Sequence, residues 1–251
     1  MEEFDLVIGI HSIIAALKNQ DRTIYKLVAT EDAISELKKQ IKLDGIKIEL
    51  CATHKVQEEA KRYFRELDLD YHRVPSGVFL LASKMAIHDI TYLYKMIDSK
   101  DNLKILCLDQ VSDVHNAGAI IRTASFYGVD AVVVPDRKSF GLTPSFFRIA
   151  SGSAESVPMI GVNKLTKTVT RMKEMGVLCL GLSEHATGEL EDSLKQVSDK
   201  GMAIILGRED VGISNAVLRL IDHRISLKSS GDIKSLNVSI AAAVCMEKCF
   251  T

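Results

Sequence analysis

Apolar positions recur along this chain with two periods, and the switches between them mark out the elements. Ile13, Ile14, Ala16 and Leu17 follow His11-Ser12 at helical spacing, and Tyr25–Ala29 is a short run of strand length. Ala33, Ile34, Leu37 and Ile41 return to the helical period, and Ile46–Cys51 reads as a strand. A helix over about Val56–Leu67 and a strand at Val78–Ala82 close a first unit, residues 1–83. Strand alternating with helix implies a mostly parallel sheet.

Residues 84–103 break this rhythm. Ile90, Leu93, Tyr94 and Ile97 fit one helix, the polar run Asp98-Ser99-Lys100-Asp101-Asn102 follows, and a linker is expected over 84–103. From 104 to 251 a second α/β series predicts strands at Ile105–Leu108, Ala131–Val134, Val157–Val162, Val177–Leu182, Ala203–Leu206 and Arg224–Leu227. Its helices are expected over Gly118–Tyr127, Lys164–Met175, Ser214–Leu220 and Val238–Cys249. The expected architecture is α/β, with a small N-terminal and a larger C-terminal domain.

Composition narrows the class. The chain has 251 residues, 47% hydrophobic and 26% charged, enough apolar material for a core and too much for disorder. Runs such as Ala131–Val134 are strand-sized, far short of the roughly 18 to 20 residues of a membrane span. Met1-Glu2-Glu3 lacks the basic start of a signal peptide, so a soluble cytoplasmic protein with no membrane partner is expected.

None of the five cysteines forms a Cys-x-x-Cys pair. Cys245 and Cys249 lie four apart on an expected helix with no histidine pair nearby, so reduced structural thiols and no metal are expected. Net charge is −1, with 15 Lys/Arg against 16 Asp/Glu in residues 1–100 and 17 against 17 thereafter. A protein gripping nucleic acid by bulk electrostatics is usually more basic. An RNA role therefore needs local patches, or dimerisation that brings patches together.

Three polar stretches set in apolar sequence carry the chemistry: Asn116–Ala124, Gly207–Gly212 and Ser235–Ser239. Polar groups at the ends of buried elements in an open α/β sheet are where ligands sit. In the first, a strand ends at Asp109 and a helix opens near Gly118 with Arg122 a turn inside; arginine's fork suits an oxyanion. The plainer alternative is that Asn116 caps the helix and Arg122 snorkels to solvent. In the second, a strand runs into Gly-x-Glu-x-x-Gly, which allows a tight turn and close backbone approach around Glu209, or is simply a turn with a solvated carboxylate. In the third, Ser235 or Asn237 is either an active group or a helix N-cap.

Together, the Asn-x-Gly-x-x-x-Arg-x-Ala, Gly-x-Glu-x-x-Gly and Ser-Leu-Asn-Val-Ser stretches, in this order, resemble the SpoU/TrmH (SPOUT) family of RNA 2′-O-methyltransferases. Ala150–Pro158 and the opening Ile8-Gly9-Ile10-His11 resemble its branch that modifies a guanosine of large-subunit ribosomal RNA. The resemblance implies a C-terminal methyltransferase domain with a trefoil knot, which no pattern argument would propose. It implies a ribosomal-protein-like RNA-binding N-terminal domain and a homodimer packed through the knot helices, to which Val238–Phe250 lends an apolar face. It further implies S-adenosylmethionine held by Leu206, Gly207, Ile225, Leu227 and Leu236, consistent with the absence of a Gly-x-Gly-x-Gly after any strand. Arg122, Asn116, Glu209, Ser235 and Asn237 become the catalytic group.

Two features qualify that picture. Lys228 and Ser229 place polarity where the family usually carries Pro with Met or Gly, near the expected adenosine wall. Lys61-Arg62-Tyr63-Phe64-Arg65 is either an RNA contact or a solvated helix face. The rivals are a tRNA-directed enzyme of the same family, a non-catalytic RNA-binding or ribosome-assembly protein, and, more distantly, a nicotinamide enzyme.

Overall fold

A computed structural model describes residues 4–183, 186, 188–189, 198–232 and 235–251; Lys234, at the end of the loop before the third motif, lies outside them. In chain order the elements begin β1 (Phe4–Ile8), α1 (Ile10–Lys18), β2 (Ile24–Ala29), α2 (Glu31–Lys38), β3 (Ile48–Leu50), α3 (Thr53–Glu66) and β4 (Val78–Ser83). They continue with α4 (Ile90–Ser99), β5 (Leu103–Leu108), α5 (Val114–Phe126), β6 (Ala131–Pro135), α6 (Pro144–Ala150), β7 (Met159–Val162) and α7 (Leu165–Glu174). The remainder are β8 (Leu178–Leu182), β9 (Gly188–Glu189), β10 (Gly201–Leu206), α8 (Asn215–Leu218), β11 (His223–Ser226) and α9 (Val238–Phe250). The chain folds into two compact units, one of Met1–Ala86 with Leu142–Ser156, the other of Ile87–Gly141 with Val157–Thr251.

The first unit holds a four-stranded sheet in the order β1-β4-β2-β3. Its expected parallel character is corrected: β4 runs antiparallel to both β1 and β2, and only β2 and β3 are parallel. The cause is β1, a strand of five residues whose apolar run is interrupted by Asp5 and carries no periodic signal. Tyr63 and Phe64 of α3 point into the core, Tyr63 edge-on to Phe79 at 5.7 Å between ring centroids. Arg62 pairs with Glu59 at 3.3 Å and Glu66 at 3.6 Å, and Lys61 lies over the Tyr71 ring. The run 61–65 is thus a helix face laced with acids, its aromatic rings turned inward.

Residues 142–156 are bound into this unit by a buried ion network. Arg22 Nη1 donates to Asp5 Oδ2 at 2.8 Å and to the Ser83 carbonyl oxygen, while Nη2 lies 3.2 Å from Glu155 Oε1. Asp5 Oδ2 also accepts from the Met85 N–H at 2.8 Å, and Glu155 Oε2 accepts from Asn19 Nδ2 at 2.8 Å. All three charged side chains are almost fully buried.

The second unit is a seven-stranded sheet, β7-β6-β5-β10-β8-β11-β9, with every pairing of its strands among the described residues parallel. Ile105, Cys107, Val133, Cys179, Ala203 and Ile205 share one core with side chains of α4, α7 and α8. Their neighbours Leu106, Val132, Leu180 and Ile204 are equally buried, so both faces are covered, as a parallel sheet requires. Residues 84–103, expected as a linker, carry α4, whose Leu93 and Ile97 are fully buried in that core. The five cysteines are free, and burial pushes the Cys107 thiol well up and the Cys179 thiol up to about 12.

Candidate active site

β5 and β10 lie side by side in register, Leu108 opposite Leu206, and deliver their carboxyl ends to one place. Two residues the motifs did not single out fix the loops there. The Asp109 N–H donates to the Leu206 carbonyl oxygen at 2.7 Å, and its buried carboxylate accepts from the Ser214 N–H at 2.7 Å, pinning the chain beyond the second motif. Asp113 is the N-cap of α5, accepting from the Asn116 N–H at 2.8 Å. Asn116 is therefore not the cap, and its side chain is available for other work. Asp109 could have been found in the sequence as a carboxylate ending an apolar strand, because a buried charge needs a partner.

The Asn237 amide joins the three motifs. Its Oδ1 caps α9 by accepting from the Ser239 N–H at 2.9 Å, which fixes which end of the amide is oxygen. Its Nδ2 then donates to Asn116 Oδ1 at 2.9 Å and to Glu209 Oε1. With Oδ1 so engaged, Asn116 presents Nδ2 as a donor that has no partner among the described residues. Asn237 is thus an N-cap and a bridge at once.

Around this cluster the second motif forms a tight loop. The Arg208 and Gly212 N–H groups donate to each other's carbonyl oxygens at 3.1 and 2.9 Å, and Arg208 Nε donates to Asp210 Oδ1 at 2.9 Å. That guanidinium holds the Asp210 carboxyl below its usual range. A Cβ on Gly207 would meet the Gly212 carbonyl carbon at 2.1 Å and the Ile213 nitrogen at 2.2 Å, both backbone atoms. Gly207→Ala is accordingly expected to destabilise the second unit by about 2–3 kcal/mol through overpacking. Thermal unfolding would read this as a transition lowered by several degrees.

The remaining expected residues take distinct positions. Leu206 and Ile225 are buried at the ends of β10 and β11, separated in the sheet by β8, and Leu227 is half-buried just beyond. Leu236 is 54% exposed beside Asn237, and Val211 at the loop tip is 66% exposed. Lys228 and Ser229 are exposed, the Ser229 hydroxyl donating to the Gly231 carbonyl oxygen at 3.3 Å. Arg122 and Ser235 are exposed and make no hydrogen bond to the cluster; Arg122 has no ionic partner among the described residues.

The site thus combines an amide donor without a partner among the described residues, the Glu209 carboxylate held by the same Asn237 bridge, and a glycine loop folded tightly on its own backbone at the end of β10. Exposed apolar groups at Val211 and Leu236, beside the carboxyl end of a parallel strand, fit a nucleoside-bearing cofactor. Among the described residues no cluster of three or more His, Cys, Asp or Glu could hold a metal ion, and no helix is long and apolar enough to cross a membrane.

The model of the SpoU rRNA Methylase family matches residues 104–247, and that of RNA 2′-O ribose methyltransferase substrate binding matches residues 6–63. The 23S rRNA (guanosine-2′-O-)-methyltransferase RlmB of Shewanella oneidensis is 31% identical over 98% of this chain and 96% of its own length. Its counterpart in Pseudomonas putida is 30% identical over 98% and 96%. Among solved structures, the SpoU methyltransferase AviRb from Streptomyces viridochromogenes, in complex with the cofactor AdoMet, superposes with a TM-score of 0.73 at 20% identity. That superposition covers 98% of this chain and 88% of AviRb.

Proposed function

This chain belongs to the SpoU rRNA methylase family, and on that premise we propose that it methylates a ribose 2′-hydroxyl, that of a guanosine in large-subunit ribosomal RNA. The observation that carries the reading is the Asn237 amide bound to both Asn116 and Glu209, because it makes one site of three motifs. The cofactor is S-adenosylmethionine, which supplies an electrophilic sulfonium methyl when bound. Backbone groups of Leu206, Gly207, Ile225, Leu227 and Leu236 would hold it.

The protein's own task is then to align the hydroxyl and let its proton leave. Asn116 Nδ2 donates to a ribose oxygen, and Glu209 and Asn237 keep that amide in place. Arg122 stabilises negative charge developing on the 2′-oxygen and grips the adjoining phosphate. A guanidinium does not give up its proton in proteins, so Arg122 acts as a charge clamp and the hydroxyl proton passes to phosphate or water. Ser235 is an exposed hydroxyl at the rim that hydrogen-bonds the ribose.

The same reading includes a trefoil knot formed by the chain from β10 to α9, a homodimer, and action in the cytoplasm. Phe126 of α5, 82% exposed, and Ile240 of α9 give these two packed helices an apolar outer side suited to a second copy.

Calorimetric titration with S-adenosylmethionine, followed by transfer of its tritiated methyl to unmodified ribosomal RNA, tests the proposal. One ligand per chain and saturable transfer are expected. Asn237→Ala, which removes the cap of α9 and frees Asn116 and Glu209, should lower stability by about 1–2 kcal/mol and transfer by about a hundredfold. A parent protein that transfers methyl to no unmodified ribosomal or transfer RNA would refute the activity.

A further inference from the structure

A net charge of −1 obliges an RNA-binding protein to hold its substrate through a local surface, and the first unit carries a candidate. Two segments distant in sequence, 6–20 and 142–154, contain no acidic residue, although the chain has 33 among 251 positions. The fold packs them together. The Ser12 hydroxyl donates to the Phe147 carbonyl oxygen at 2.5 Å. A Cβ on Gly152 would lie 2.9 Å from Ala15 Cβ and 3.0 Å from the His11 carbonyl oxygen, and one on Gly9 would lie 3.6 Å from Arg148 Cα. Gly152 also has φ +92°, so both space and backbone favour a residue without a side chain there.

His11, Ala15 and Lys18 share one side of α1 by their spacing of four and three residues. Gly152 abuts the middle of that stripe, and Arg148 flanks its start. His11, Lys18 and Arg148 are all exposed. The acids adjoining these segments are engaged: Glu155 with Asn19 and Arg22, Asp5 with Arg22 and with Lys84 at 3.3 Å. Only Asp21, past the end of α1, is an exposed carboxylate next in sequence. The contrast is α3, whose cations alternate with Glu58, Glu59 and Glu66.

We propose that Lys18 and Arg148, with the His11 imidazole beside them, form the RNA-backbone contact of this unit. The two cations take phosphates, and the bare backbone at Gly9 and Gly152 lets a sugar–phosphate strand lie close. The assignment rests on the RNA-methyltransferase reading, and it extends the substrate-binding surface from residues 6–63 to Leu142–Ser156.

The test is filter binding of the full-length protein to an unmethylated large-subunit ribosomal RNA transcript across a range of salt concentrations. Lys18→Ala and Arg148→Ala should each reduce the slope of log K against log salt by about 0.7–0.9, and the double variant by about 1.5. S-adenosylmethionine affinity and melting temperature should stay at the parent's values, and Lys55→Ala on α3 should change nothing. Lys18 lies on the open end of α1, so its variant keeps the test valid should Arg148→Ala unsettle the Gly9 contact. A parental salt slope in Lys18→Ala and in the double variant would overturn this contact and leave the methyltransferase reading standing. A parent that binds S-adenosylmethionine but no RNA would overturn both.

Discussion

Arg122→Ala is expected to lower kcat by about a thousandfold while leaving S-adenosylmethionine affinity and melting temperature at the parent's values. Removing one preorganised donor from a developing oxyanion costs about 10²–10³ in rate, and Arg122 also holds the phosphate. Its side chain is exposed and has no ionic partner among the described residues, so the fold loses little: about 0.5 kcal/mol or less. Single-turnover methyl transfer alongside calorimetry would separate the two effects. Arg122→Lys distinguishes clamp from base. As a clamp, lysine restores part of the rate with the parent's pH profile, because it keeps the charge and loses the fork. As a base, lysine would give a rate that climbs as its ammonium titrates, near pH 10. Full parental activity in the alanine variant would remove Arg122 from the mechanism.

The second large effect concerns stability. Arg22→Met should destabilise the first unit by about 3–5 kcal/mol, because it strands the buried Glu155 carboxylate without its cation and leaves Asp5 with only the partly exposed Lys84. Denaturant unfolding should show the first unit's transition moving to lower concentration while that of the second stays in place. Lost packing of the arginine over the Phe147 ring is a competing source of destabilisation. Adding Asp5→Asn and Glu155→Gln to Arg22→Met separates the two: if stranded charge dominates, the triple variant regains much of the loss. A single variant within about 1 kcal/mol of the parent would mean that water reaches these carboxylates.

What could be read from the sequence follows the range of the interactions. The strands of the second unit carried long apolar signals, and β5, β6, β8 and β10 lie where periodicity placed them, within a few residues. The meeting of Asn116, Asn237 and Glu209 was legible because each belongs to a polar stretch bordering a buried element, and the hydrogen bonds of Asn237 tie the three together, while Arg122 and Ser235 make no hydrogen bond to them. The reading of Asn116 as the cap of α5, one of two left open, fails because Asp113 is equally suited to the position and only the backbone path decides between them. Helix α6 escaped notice because seven residues with two phenylalanines give too short a period. The membership of Leu142–Ser156 in the first unit rests on contacts over more than 130 residues of sequence, such as Asn19 to Glu155, which no local pattern encodes.

That membership has a consequence for how the protein is made. On the ribosome β1 to β4 emerge early, bringing out Asp5 and the Ser83 carbonyl oxygen, two of the partners of Arg22. The partner of Arg22 on the other side, Glu155, follows Asn19 by 136 residues. At synthesis rates of roughly 5–20 residues per second, the roughly 70 residues of that stretch that follow the end of β4 take about 4–14 s. Throughout that time, β1 and α1 lack the helix that covers them, α6, and Arg22 lacks the Phe147 ring and the second carboxylate that pack against it. The strands of the second unit from β5 to β6 emerge in between, and the nascent chain spends that interval with apolar surface of the first unit uncovered.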